Sequence, residues 1–324
     1  MESDMKILVT GVAGQLGHDV MNELYGRGIE GIGSDLAPAY AGMSDGTPVC
    51  SMPYVPMDIT DEEGVLQAVL SIRPDAVIHC AAWTAVDLAE DEDKQAKVAA
   101  INGGGPRNIA QACRQLDIPM MYISTDYVFN GMGTTPWDPD QKDYAPLNVY
   151  GQTKLDGELA VSSLLDKFFI VRIAWVFGKN GNNFIKTMLR VGKTHDQLRV
   201  VNDQIGTPTY TYDLARLLVD MILTDKYGYY HATNDEGGDY ISWYDFTKEI
   251  FRQATALGHA EYSEERITIT PVTTAEYGLS KAKRPFNSRL DKSKLVKNGF
   301  TPLPHWKDAL GRYLKELDDA APNS

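Results

Sequence analysis

Tyr150 and Lys154 stand four positions apart in Leu147-Asn-Val-Tyr-Gly-Gln-Thr-Lys154, and Ser124-Thr125-Asp126 precedes them at the end of an apolar run. A tyrosine and a lysine at i and i+4 of a helix share a face one turn apart. On that face an ammonium would favour the phenolate and lower the phenol from its ordinary pKa near ~10. Such a phenol gives and takes a proton near neutral pH, which carbonyl reduction requires. Y-x-x-x-K by itself arises often by chance and reads equally as an exposed helix turn. Its weight comes from the elements that must position it.

Those elements begin at the start of the chain. Lys6-Ile-Leu-Val-Thr10 leads into Gly11-Val-Ala-Gly14-Gln-Leu-Gly17, a pattern that predicts a buried strand, a tight turn and a helix running to about residue 28. The spacing is G-x-x-G-x-x-G rather than G-x-G-x-x-G, but the physics is shared. Small residues let backbone approach a diphosphate, and the helix N-terminus supplies N–H groups and a favourable dipole. Gly11, Ala13, Gly14, Gln15 and Leu16 are therefore expected against a dinucleotide. Asp35 closes a second strand, 31–35, where a carboxylate accepts from the adenosine ribose and repels a 2′-phosphate. No arginine or lysine adjoins it, so NADH is favoured over NADPH. Asp58 and Ile59 end a third strand, at the adenine. Ala81, Ala82 and Thr84 follow a fourth, 75–80, where small residues let the chain pass the diphosphate. Ile123, in a fifth strand over 120–125, is also expected beside the cofactor.

With a sixth strand over 168–172, strands and helices alternate from residue 6 to 173. That order predicts a Rossmann-type α/β fold, a doubly wound parallel sheet with helices on both faces. Ligands of such sheets lie outside the carboxyl ends of the strands, where every motif above falls. Past about residue 175 the alternation loosens, with helices expected near 184–193, 212–223, 242–256 and 305–318. We expect a dinucleotide-binding domain over 1–174, with 209–232 returning to it. A smaller C-terminal α/β substrate domain would take 175–208 and 233–324.

The net charge of −13 argues against nucleic acid or an anionic membrane as main partner. No apolar run reaches spanning length and the first residues lack a signal-peptide pattern, so a cytoplasmic protein is expected. Cys50, Cys80 and Cys113 are far apart and the histidines scattered; no metal site is expected.

Taken together, these motifs resemble the extended short-chain dehydrogenases/reductases, and within them the dTDP-4-dehydrorhamnose reductase family. The likeness runs from the glycine turn through Ala81-Ala-Trp-Thr-Ala-Val-Asp87, Ser124-Thr-Asp-Tyr-Val-Phe129 and the tyrosine–lysine segment. It continues in Trp175-Val-Phe-Gly178, Gly181-Asn-Asn-Phe184, Asn202-Asp-Gln-Ile-Gly-Thr-Pro-Thr209 and Arg284-Pro-Phe-Asn-Ser-Arg-Leu-Asp291. The resemblance implies reduction of the C4 ketone of dTDP-4-dehydro-L-rhamnose by NADH or NADPH, in a monomer or homodimer. Tyr150 would donate the proton, Lys154 would hold the nicotinamide ribose, and Thr125 would hydrogen-bond the ketone oxygen. Asn102 would tune the proton path on the cofactor side. Asp126, Trp175 and Asn183 would face the sugar nucleotide; Arg284 and Arg289 would meet its diphosphate or serve as surface ion-pair partners.

The chain departs from its relatives at two places. His18-Asp19 stands where some of them carry a glutamate linked to a metal-bridged dimer. Gly103-Gly104-Gly105 is a run that weakens a helix start by up to ~1 kcal/mol per residue, which would either mark a looser cofactor-side loop or be neutral. Two rival readings stay open: a non-catalytic nucleotide-binding subunit, and an epimerase or dehydratase on the same fold.

Overall fold

The computed structural model describes residues 5–320. Its centre is a seven-stranded sheet made of β1 (Lys6–Thr10), β2 (Glu30–Asp35), β3 (Tyr54–Pro56), β4 (Ala76–His79), β5 (Met120–Thr125), β6 (Phe168–Ile173) and β7 (Gly228–His231). The strand order is β7-β6-β5-β4-β1-β2-β3 and every neighbouring pair is parallel. This is the expected doubly wound sheet. The order reverses between β1 and β4, so the loops after these two strands diverge and leave a crevice.

Period-two burial explains the two-sided core. Ile7 and Val9 of β1 face one layer with α1 (Gln15–Gly26) and α7 (Thr211–Ile222), where Val20, Leu24, Leu214 and Leu218 pack. Leu8 faces the other, with α2 (Glu62–Ile72), α4 (Gly105–Leu116) and α5 (Val149–Leu164) supplying Val65, Ile109 and Val161. Helix starts follow their caps. Asp61 accepts from the Gly64 N–H at α2, and Asn148 accepts from the Gly151 N–H at α5, leaving few orphan donors.

The glycine run is corrected. α3 (Glu92–Ala99) passes through one wide turn, Ala100–Gly104, into α4 without leaving helical backbone angles. Gly105 serves close packing: a Cβ there would lie 2.6 Å from Ile59 Cδ1, whereas one on Gly104 would meet nothing within 4 Å. Tertiary contact overrides the weak propensity.

The rest of the chain builds a second, smaller core around Phe177, Phe246, Trp306 and Tyr313. Its helices are α6 (Phe184–Thr194), α8 (Trp243–Ala256) and α9 (Trp306–Ala320). Short strand pairs join distant stretches there, Val176–Phe177 with Thr209–Tyr210 and Gln197–Val201 with Thr268–Val272. Among the described residues no helix is long and apolar enough to cross a membrane.

Candidate active site

A cleft of about 870 Å³ runs along the carboxyl ends of the strands and under α8. At one end lies the glycine turn. Gly11 takes φ +72, and a Cβ there would stand 2.6 Å from the Ala81 nitrogen. A Cβ on Gly17 would stand 2.3 Å from the Gly11 carbonyl oxygen. Glycine is required for both reasons: left-handed backbone, and loops touching where strand order reverses. No side chain caps the start of α1, so its N–H groups and dipole face the cleft.

Gly14, Gln15 and Leu16 line this end, with Asp35 beside them and Asp58 and Ile59 further out. Asp35 accepts from the Ala13 N–H at 3.0 Å and the Leu36 N–H at 2.8 Å, fixing the turn to β2. Ala81, Ala82 and Thr84 form the facing wall. The hydroxyls of Ser34 and Ser124, both buried on the cleft, have no hydrogen-bond partner among the described residues. Orphaned buried hydroxyls, an uncapped helix start and a wall that admits no Cβ fit the hydroxyl- and phosphate-rich edge of a dinucleotide.

At the other end Ile123, Thr125, Asp126, Tyr150, Lys154 and Trp175 meet. Thr125 Oγ1 donates to Asp126 Oδ1 at 3.2 Å and accepts from the Tyr127 N–H at 3.2 Å. Lys154 Nζ donates to the Ile123 carbonyl oxygen at 2.6 Å and lies 4.2 Å from the centre of the Tyr122 ring. The expected lowering of the phenol by Lys154 is corrected. Burial pushes Tyr150 up to about 12, opposed by the Thr125 hydrogen bond and reinforced by Asp126. Burial also brings Lys154 down to about 7, against Glu158 and Cys80. One apolar setting disfavours both charged forms, so near neutral pH the phenol is a protonated donor. Buried Asp126 is raised to about 7 for the same reason, opposed by hydrogen bonds from Ser288 and Thr125.

With this geometry in hand, the likeness to known proteins is direct. A family model described as the RmlD substrate binding domain matches residues 5–319. A curated dTDP-4-dehydrorhamnose reductase from Escherichia coli K12 is 36% identical over 318 residues, covering 97% of this chain and 98% of that one. A dTDP-4-dehydrorhamnose reductase structure from Clostridium acetobutylicum superposes with TM-score 0.84 at 38% identity, over 97% of this chain and 100% of that one. One from Bacillus anthracis, solved with NADP, gives TM-score 0.81 at 36% identity, over 97% and 99%.

The chain belongs to the RmlD family.

Several residues expected at the site of this RmlD chain lie off the cleft. The Ala13 N–H is taken by Asp35. Asn102 is buried, its Oδ1 accepting from the Trp83 N–H and its Nδ2 donating to Trp83 O and Thr153 Oγ1. It therefore ties the 81–84 loop to α5. Asn183 caps α6 through the Lys186 N–H, and its Nδ2 reaches Gln15 and Tyr313. Arg284 is committed to a bidentate pair with Asp87, at 3.0 and 2.8 Å. Arg289 bonds Asn287 Oδ1 and lies over Tyr240. Helical capping and a carboxylate 197 positions away in sequence are invisible to motif matching, which is why these residues read as ligands.

Two residues of this RmlD site were not singled out in the sequence. Trp243 starts α8, lines the cleft and stacks on Trp175 with ring centres 3.8 Å apart. Trp175 itself holds φ +50, an uncommon backbone for a bulky residue. Ser288 donates to Asp126 Oδ2 at 2.5 Å. Its position inside the Arg284–Asp291 motif was the available signal; Trp243 carried none. Among the described residues no cluster of three or more His, Cys, Asp or Glu is placed to hold a metal ion.

Proposed function

We propose that this chain reduces the C4 ketone of dTDP-4-dehydro-L-rhamnose to dTDP-L-rhamnose with NADH or NADPH. The observation that carries this is the meeting of Thr125, Tyr150 and Lys154 at the far end of the cleft that begins at the glycine turn. Nicotinamide, when bound, supplies the hydride. Tyr150 gives its proton to the oxygen at C4 as negative charge grows there. The Thr125 hydroxyl stabilises the same oxygen. Lys154, near its midpoint at neutral pH, turns from Ile123 to the ribose hydroxyls as an ammonium. Gly11, Gly14, Gln15 and Leu16 hold the diphosphate through backbone, and Ala81, Ala82 and Thr84 close over it. Asp58 and Ile59 meet the adenine, with Ile123 behind the nicotinamide. Trp175 and Asp126 face the sugar.

NADH is the preferred donor in this reading, because the Asp35 carboxylate faces the ribose position on the cleft and repels a 2′-phosphate. Residues 1–174 with 209–232 form the cofactor-binding part, supported by β7 extending the main sheet beside β6. The test is oxidation of NADH and of NADPH with dTDP-4-dehydro-L-rhamnose generated in situ, with the product identified by mass and sugar analysis. We expect substrate-dependent oxidation, faster with NADH, yielding dTDP-L-rhamnose. Bound cofactor without oxidation, beside a known reductase that turns over the same substrate, would return the chain to the non-catalytic or epimerase readings.

A further inference from the structure

Tyr150 is the second residue of α5, in the turn where a helix has no partners for its own N–H groups and frays first. Two side chains hold that turn. Asn148 Oδ1 accepts from the Gly151 N–H at 2.7 Å, and Glu90 Oε1 accepts from the Val149 N–H at 2.8 Å. Gly151 lets the turn close on its neighbour, since a Cβ there would stand 2.4 Å from the Tyr127 carbonyl oxygen. The seat of the phenol therefore depends on where Asn148 and Glu90 stand.

Both are tied to one short segment, 281–284, from the C-terminal part of the chain. Asn148 Nδ2 donates to the Lys283 carbonyl oxygen at 2.8 Å. Glu90 closes the tight turn Leu88–Glu90, and Asp87 stands at its head. Asp87 Oδ1 accepts from the Lys281 N–H at 3.0 Å and the Ala282 N–H at 2.9 Å. Oδ1 and Oδ2 also take the Arg284 fork, at 3.0 and 2.8 Å. Residues 281–284 thus commit two backbone N–H groups, one carbonyl and one guanidinium to the two loops that hold α5. Asn148, Ala89 and Ala282 are buried, so a bond lost at this seam is not simply replaced by water.

The segment continues along the same wall. A Cβ on Gly131 would stand 2.4 Å from Pro285 Cβ, and the Asn287 N–H donates to Gly131 O at 2.8 Å. Ser288 then donates to Asp126 Oδ2 at 2.5 Å. In chain order the segment meets Asp87, Asn148, Gly131 and Asp126, passing round the reacting end.

Resting on the reduction proposed above, we propose that 281–284 is a positioning strap for Tyr150, acting through Asp87 and Asn148 as positioning residues. With the strap seated, the first turn of α5 is held and the phenol stands where proton transfer needs it. With the strap released, Asn148 and Glu90 lose their fixed places and the phenol drifts from the ketone. A displacement of about 1 Å is enough to cost ~10²-fold in a step that needs near-attack geometry. The cofactor wall is held separately, because Asn102 fixes Trp83 through both its N–H and its carbonyl. The pairing of Arg284 with Asp87 then serves the proton donor rather than a phosphate.

The experiment compares wild type, Asp87→Asn, Asn148→Ser and the double variant. It reads kcat, its solvent deuterium isotope effect, NADH affinity by fluorescence titration, and the urea midpoint. Serine keeps an acceptor for the Gly151 N–H, as good a cap as asparagine, but is too short to donate to Lys283. Asparagine at 87 keeps an acceptor for the two N–H groups but turns an amide toward the guanidinium. We expect each single variant to lower kcat about tenfold and to leave NADH affinity within about twofold. The isotope effect should rise in all three, because proton transfer is the step made harder. Since both residues act through one strap, the double variant should be no slower than the slower single, where independent losses would reach about a hundredfold.

Losses in kcat that multiply, NADH affinity that falls in step with kcat, or a lowered urea midpoint with kcat unchanged would each overturn the inference. If Asp87→Asn fails to fold, Asn148→Ser decides alone, and an isotope effect equal to wild type sinks the strap. Wild-type protein that binds NADH but oxidises none would instead remove the reductase reading, a result visible before any variant is made.

Discussion

At the glycine-turn end of the cleft, geometry is set by backbone drawn from neighbouring segments: β1, the turn, the start of α1 and the loop after β4. Gly11 and Ala81 touch there because strand order reverses between their strands. At the reacting end, geometry is set by side chains from five separated stretches, around residues 125, 150, 175, 243 and 288. The first end tolerates almost no added atoms but asks little of side-chain chemistry. The second holds several polar groups whose protonation is decided by burial and mutual hydrogen bonds. A backbone cradle is a local property of a supersecondary unit, whereas a proton-transfer site is a property of the finished core.

The sharpest test of this contrast is at the reacting end. Tyr150→Phe should reduce turnover by about 10²–10⁴-fold with NADH affinity nearly unchanged in fluorescence titration. A variant keeping more than a tenth of the activity would mean the phenol is not the donor. At the cradle end the reverse split is expected. Gly17→Ala pushes a methyl to 2.3 Å from the Gly11 carbonyl oxygen, so it should cost about 1–3 kcal/mol in urea unfolding and weaken NADH binding more than tenfold. Unaltered binding would show that the turn is looser than these contacts require.

A smaller effect should follow from Trp243→Ala. Loss of the stack on Trp175, worth about 0.5–1.5 kcal/mol, should raise KM for the sugar nucleotide severalfold and leave NADH binding alone. A changed NADH affinity would blur the division between the two ends. The smallest effect concerns Asp19, in α1 beside the cradle. Burial raises its carboxyl to about 7, against a 2.5 Å hydrogen bond from Thr211. A raised folded-state pKa favours the protonated form, so the stability it contributes is full below pH ~4 and lost as pH rises through about 7. Asp19→Asn should flatten that decline in urea midpoints measured from pH 5 to 8; a slope equal to wild type would place the titration elsewhere.

The legible part of the site follows the same contrast. Gly11, Gly14, Asp35, Ala81 and Tyr150 were readable because each sits at a fixed offset from a strand end or along one helix. The pairing of Arg284 with Asp87 was not readable, because Asp87 lies in a loop far away in sequence. The capping role of Asn183 was not readable either, because a capping asparagine and a ligand asparagine look alike in a string. Lys154 was placed correctly on the face of Tyr150, yet its influence on the phenol was misjudged. Offset along a helix says nothing of desolvation.

The alternation of apolar strands and amphipathic helices, together with the spacing of the glycines and of Tyr150 and Lys154, determined the doubly wound sheet and the cofactor-side cradle. These are short-range consequences of the period-two strand, the helical turn and the room a missing Cβ leaves. Tertiary structure alone decided that Ser288 meets Asp126, that Trp243 covers Trp175 and that desolvation pushes the Tyr150 phenol upward. Those outcomes depend on which distant segments share a low-dielectric interior, and no local pattern encodes how much water the folded chain excludes from a given side chain.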